Sequence, residues 1–130
     1  MVQQVIDGDT AQLGDGQMVR YIGIDAPEVR RHVGGEWVMD PEPFAQAATE
    51  ANRQLVEGQR VRLEYDVQTH DRYGRLLAYL YVGDQLVNAA LLAGGYAQLL
   101  TIPPNVRYAE QFRALRNEAQ REGRGLWKKH

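Results

Sequence analysis

A chain of 130 residues fits a single domain, and folding at that size buries roughly two-thirds of the unfolded surface. Its 15 Lys/Arg against 17 Asp/Glu leave a net charge of −2, which excludes a uniformly basic surface that coats nucleic acid by charge alone. The absence of cysteine excludes disulfides and thiolate metal sites.

The predicted elements begin with two short strands, residues 2–6 and 10–13, on either side of Asp7-Gly8-Asp9. Leu13-Gly14-Asp15-Gly16-Gln17 has the glycines and aspartate of a hairpin turn. Residues 18–24 follow as a third strand, whose continuous apolar character predicts burial on both faces. Ala26-Pro27 ends it, because proline cannot donate to a ladder. Residues 29–40 contain Gly34-Gly35 and show no clear period, which predicts a long loop.

Between residues 41 and 56 the pattern turns helical, with Phe44, Ala48, Ala51 and Leu55 at spacings of three and four, and Gly58 as a stop. Residues 60–65 and 76–82 read as strands, with 71–75 in the turn between them. Residues 87–93 form a short helix closed by Gly94-Gly95. Pro103-Pro104 make residues 101–106 a loop, and residues 108–122 form a second long helix with Phe112, Leu115 and Ala119 on one face. Residues 107–130 carry seven Lys/Arg and three Asp/Glu, an excess that reads as a solvated helix face. Strands, a helix, strands and helices in that order predict an α+β fold. The expected architecture is a strongly curved sheet of about five strands, closed into a barrel that hides short edges, with helices packed against it.

Three segments carry the chemistry. Asp7, Asp9, Asp25 and Glu28 offer the carboxylate oxygens that hard cations bind, although Asp-Gly-Asp and Asp-Ala-Pro-Glu also read simply as turn formers. Arg20 interrupts an apolar strand, where an unpaired charge is costly. It is either half of a buried salt bridge or a phosphate ligand. Arg75, after Tyr73-Gly74, reads as an exposed hairpin arginine or as a second phosphate ligand. Guanidinium forks match phosphate oxygens two at a time. Acids, a further glutamate and two separated arginines in one small domain therefore point to metal-assisted cleavage of nucleic acid.

The carrying strings are V-I-D-G-D-T (5–10), R-Y-I-G-I-D-A-P-E (20–28) and D-R-Y-G-R-L-L-A-Y-L-Y (71–81), followed by V-N-A-A-L (87–91) and G-L-W (125–127). On them the chain resembles the staphylococcal nuclease-like (thermonuclease) family over residues 2–127. The resemblance implies one domain over residues 1–130, a five-stranded OB-fold β-barrel with three α-helices, and a calcium-dependent phosphodiesterase. It places the metal ligands on Asp9, Asp25 and the backbone carbonyl of Ala26. It places a water-positioning glutamate on Glu28, the phosphate-binding arginines on Arg20 and Arg75, and a supporting acid on Asp7. Contacts to a terminal phosphate fall on Tyr73 and Arg72. The implied reaction is in-line attack of water on phosphorus in single-stranded or locally open DNA and RNA, leaving 3′-phosphate ends. The implied protein is a monomer with Ca²⁺ as cofactor and no membrane partner.

Well-known members carry a tyrosine pair after the short helix that flanks the bound base. Leu100-Thr101-Ile102-Pro103 has no aromatic there, which predicts weaker single-nucleotide binding, since stacking contributes about 1–3 kcal/mol per base. Residues 29–40 hold Arg30, Arg31, His32 and Trp37. Trp37 reads either as a stacking contact to the substrate strand or as packing on the barrel rim. The competing class is a nuclease-like module that only binds nucleic acid or protein. The presence of Asp9, Arg20, Asp25, Glu28 and Arg75 together favours an enzyme, and a two-carboxylate glycosidase leaves the arginines without a task. The family likeness implies a secreted or extracytoplasmic location, although residues 1–4 lack the basic and apolar regions of a leader.

Overall fold

The computed structural model describes residues 1–28, 30–39 and 43–128. The chain opens as an antiparallel meander of β1 (Val2–Asp7), β2 (Thr10–Leu13) and β3 (Met18–Tyr21). The strand expected over 18–24 breaks after Tyr21 and resumes as β4 (Ile24–Asp25). The break sits at Gly23, where φ is +88° and a Cβ would lie 2.6 Å from the Phe112 ring, so only glycine lets the chain turn there. Tyr21, Ile22 and Ile24 on either side are buried, as the apolar run predicts.

Residues 29–40 correct the loop expectation. β5 (Arg30–Val33) and β6 (Glu36–Met39) pair antiparallel across Gly34-Gly35. Both glycines have positive φ, 56° and 86°, the backbone that a tight two-residue hairpin needs. Trp37 lies opposite His32 in this hairpin. The stacking role expected of Trp37 concerns a side chain outside the described ones.

α1 (Ala45–Val56) starts behind Phe44, whose φ is 70°, and residues 41–42 of the predicted helix lie outside the described residues. Its buried face is Ala45, Ala48, Thr49, Asn52 and Val56, rotated from the predicted stripe. The rotation follows from Asn52, a polar residue that faces inward because its amide finds two buried partners.

The second half adds β7 (Arg62–Glu64), β8 (Leu76–Val82), β9 (Gln85–Leu86), α2 (Val87–Ala93), β10 (Gln98–Leu99) and α3 (Ala109–Glu122), ending in a 3-10 turn at Gly125–Trp127. The main sheet runs β1-β2-β3-β8-β7, with β9 also on β8, and β3 pairs β8 in parallel. β10 pairs β4. The sheet is mixed and its ladder does not close, which corrects the closed-barrel expectation. β1 instead meets the segment ahead of β7 through two backbone bonds, Val2 N–H to Gln59 O and Gly58 N–H to Val2 O, each 3.0 Å. These bonds satisfy the edge without a full strand pair.

Tyr21, Ile24, Tyr79, Leu80, Leu91, Leu92 and Phe112 form the centre of the core. Asn88 on α2 is buried among them. It accepts from Leu80 N–H at 3.0 Å and donates to Ile22 O at 2.8 Å. One amide thus holds α2 against both β8 and the turn that leads into β4. Among the described residues, no helix is long and apolar enough to cross a membrane.

Candidate active site

The Asp7–Asp9 turn joins β1 to β2 and is buried, Asp9 completely. Asp9 N–H donates to Asp7 Oδ1 at 3.1 Å, and the Thr10 hydroxyl donates to Asp9 Oδ1 at 3.1 Å. Across the molecule, Ala26 N–H donates to Asp9 Oδ2 at 2.7 Å. Carboxylate oxygens of Asp7, Asp9 and Glu28 all lie within 4.8 Å of one another.

Burial first, and the crowding of acids after it, raises their proton affinity. Burial drives Asp9 up to about 7, against the pull of the Arg20 guanidinium. Burial also raises Asp7, and burial followed by the charge of Asp9 raises Glu28. The all-oxygen donor set and this excess of buried negative charge fit a hard cation such as Ca²⁺ or Mg²⁺.

Arg20 stands on β3 with its side chain 13% exposed. Nη1 donates to the carbonyls of Tyr21 and Ile24, each at 2.9 Å. Nη2 is 3.2 Å from Asp9 Oδ2 and 3.5 Å from Asp25 Oδ1. The chain reversal at Gly23 creates this arrangement, because it returns the Ile24 carbonyl and Asp25 to the guanidinium that left the strand four residues earlier. Asp25 is half-exposed and stands outside the trio of close acids.

Arg75 opens β8 from the other side. Its Nε donates to Asp71 Oδ2 at 2.7 Å, while Asp71 Oδ1 accepts from the backbone N–H of Tyr73 and of Arg75. The exposed Tyr73 ring lies 4.9 Å from the Arg72 guanidinium carbon and 5.3 Å from that of Arg75. Arg20, Arg72, Tyr73 and Arg75 all line one cavity of about 270 Å³, whose lining also includes Leu100 and Ile102. Asp25 and Ala26 line a smaller cavity of about 150 Å³ with Pro43 and Gln98.

The structure therefore gathers Asp9, Arg20, Asp25, Ala26 and Glu28 around one buried turn, and sets Arg75, Tyr73 and Arg72 across a cavity that Arg20 shares. Asp7, read from the sequence as a supporting acid, sits in the tightest acid group. Two contributors had no assigned role in the sequence reading. Asp71 organises the turn that carries Arg75, and its signal is an acid four residues before an arginine with a glycine between. Asn52 backs the Asp7 turn from α1, and the helical stripe hid it by favouring apolar positions.

Comparison with known proteins gives the family. The family model described as Staphylococcal nuclease homologue matches residues 18–129. The chain is 36% identical over 132 residues to a thermonuclease of Staphylococcus intermedius, covering 99% of this chain and 76% of that one. It is 35% identical to a thermonuclease of Staphylococcus hyicus, covering 97% and 73%. It is 34% identical to Endonuclease YncB of Bacillus subtilis (strain 168), covering 98% and 61%. With its mixed sheet, three helices and this match, the chain is an OB-fold member of the staphylococcal nuclease homologue family.

Proposed function

We propose that this protein is a calcium-dependent endonuclease that hydrolyses phosphodiester bonds in single-stranded or locally open DNA and RNA and leaves 3′-phosphate ends. One observation carries the reading: Arg20 touches the acid cluster at Asp9 and also lines the cavity that holds Arg75. A phosphate in that cavity meets two guanidinium groups beside a buried carboxylate site. Relatives named thermonuclease and endonuclease support the same class of reaction.

Asp9, Asp25 and the Ala26 carbonyl would hold the cation. Once bound, it supplies Lewis-acid polarisation of a non-bridging phosphate oxygen and offsets the charge of the acids. Glu28 holds a water molecule and takes its proton as the oxygen attacks phosphorus. Its upward shift from burial brings it nearer the range that suits a base at neutral pH. Arg20 and Arg75 donate to the equatorial oxygens, where charge grows in the transition state. The bond from phosphorus to the 5′ oxygen breaks, that oxygen takes a proton from solvent, and Glu28 returns its own proton to solvent. Tyr73 and Arg72 meet the terminal phosphate, and Trp37 on β6 contacts the substrate strand.

The test is digestion of denatured DNA and of RNA with Ca²⁺, Mg²⁺ or chelator, with end-group analysis. Cleavage that needs calcium and yields 3′-phosphates is expected, with turnover down about 10²–10⁴-fold in Glu28→Ala. Full activity in chelator, or 5′-phosphate ends, would end this reading. The close trio of Asp7, Asp9 and Glu28 favours a second ligand set in which Asp7 replaces Asp25. Calcium titration of Asp7→Asn and Asp25→Asn separates the two, because the true ligand's loss weakens affinity more.

A further inference from the structure

We propose that Asn52 on α1 is a positioning residue for the cation site, acting through the backbone of Asp7. The inference rests on the functional reading above and deepens it.

Asn52 is fully buried, unusual for an amide in the middle of a helix that packs on a sheet. Its Nδ2 donates to the main-chain carbonyl of Asp7 at 2.9 Å, and its Oδ1 accepts from the Tyr21 hydroxyl at 2.8 Å. Tyr21 is itself fully buried and lies next to Arg20 in β3, and its backbone N–H donates to the Asp9 carbonyl at 2.9 Å. A bonded path therefore runs from the Tyr21 ring through Asn52 to Asp7, and from Tyr21 back to Asp9. Both ends of the acid turn are tied by one tyrosine and one asparagine.

A separate observation points the same way. A Cβ on Gly8 would lie 2.6 Å from Ala26 Cβ and 2.8 Å from Ala48 Cβ. The turn is wedged between the Ala26 segment and α1, on the face that Ala48 and Asn52 share at a spacing of four. Small residues bring the helix close, and Asn52 then adds a bond from the helix to the Asp7 carbonyl, at the residue that closes the turn opposite Thr10. A hydrophobic residue at 52 fills the same space but removes the helix's bond to the Asp7 carbonyl and leaves the Tyr21 hydroxyl without its partner. Asp9 N–H is bonded to Asp7 Oδ1, so freedom at Asp7 passes directly to Asp9.

The experiment is calorimetric titration of the full chain with calcium chloride, at a temperature where circular dichroism shows each variant folded. Asn52→Leu is expected to weaken calcium binding at least tenfold. At saturating calcium it should recover turnover with an unchanged KM for single-stranded DNA. Tyr21→Phe lowers Tm by removing one buried bond but leaves the tie to Asp7, so its calcium affinity should stay within twofold of wild type. If Asn52→Leu is too unstable, Asn52→Leu with Tyr21→Phe removes the orphaned hydroxyl and should show the same loss. A folded variant at 52 with wild-type affinity overturns the proposal. In the wild-type protein, the Asn52 side-chain amide resonances should move through the calcium titration, and stationary resonances overturn it without any variant. Wild type that takes no divalent cation sinks the metal reading and this inference together; wild type that binds beside equally tight variants at 52 sinks this inference alone.

Discussion

Arg20 and Arg75 line the same cavity, yet the chain supports them in opposite ways. Arg20 leaves the middle of the sheet and is fixed by two main-chain carbonyls and two carboxylates drawn from three separate segments. Arg75 pairs with Asp71, four residues before it in the same turn. The first arrangement exists only when the whole domain is folded. The second draws its ion pair from a five-residue turn at the start of β8. The difference teaches that the catalytic contribution proposed for each arginine should be easier to separate from folding at Arg75 than at Arg20.

Arg20→Leu is therefore the most damaging change. It leaves fully buried Asp9 without its guanidinium, and breaking a buried ion pair from one side costs about 3–5 kcal/mol. That is a large part of the roughly 5–15 kcal/mol that stabilises a domain. Thermal unfolding should show a fall in Tm of about ten degrees or more, and digestion of single-stranded DNA should be undetectable. A wild-type Tm for Arg20→Leu would show that the two arginines are not supported differently.

Arg75→Lys sharpens the contrast from the other side. Lysine keeps the charge but not the planar fork. Loss of one transition-state donor predicts a fall in kcat of about 10²–10³, with Tm nearly unchanged because Asp71 still faces a cation. Measured side by side, the two variants should separate stability from turnover. Near wild-type kcat in Arg75→Lys would remove the bidentate role.

How much of this was legible in the sequence follows the same division. Local features were readable: β8 and α2 fall on the predicted residues, and the arginine of the 71–75 turn sits where its strand begins. Features made by contacts between distant segments were not. The strand expected over 18–24 breaks because Gly23 meets Phe112, 89 residues away, and periodicity carries no trace of that contact. The buried face of α1 rotated toward Asn52 because the partners of that amide, Asp7 and Tyr21, lie on the sheet. The hairpin at 30–39 was missed for a different reason: its two glycines signalled a turn, but charged residues obscured the alternation of its strands. At the site, the residue types of the acid turn announced a cation, while the grouping of Asp7 with Asp9 and Glu28, apart from Asp25, required the fold.

The smallest effect concerns the acid end of the comparison and is read in chelator, where no cation competes with protons. Asp9 lies near 3.8 in an unfolded chain and is pushed up to about 7 here by burial, with Arg20 pulling the other way. Below pH 3.8 both states hold the proton, and the contribution of Asp9 to stability is fully present. As pH rises from 3.8 toward 7, the unfolded chain releases its proton while the folded chain keeps it, so stability falls across that window and levels off above it. Other carboxylates titrate in the same range, so the informative quantity is the difference between wild type and Asp9→Asn. Wild type should lose several degrees of Tm relative to Asp9→Asn between pH 4 and pH 7, at roughly 2–8 degrees per kcal/mol. Calcium should then stabilise wild type more at pH 8 than at pH 5, because the cation displaces a proton at the lower pH. Parallel Tm curves for the two proteins would mean that the buried acid turn does not hold a proton at Asp9, and that Arg20 alone is enough to keep it charged.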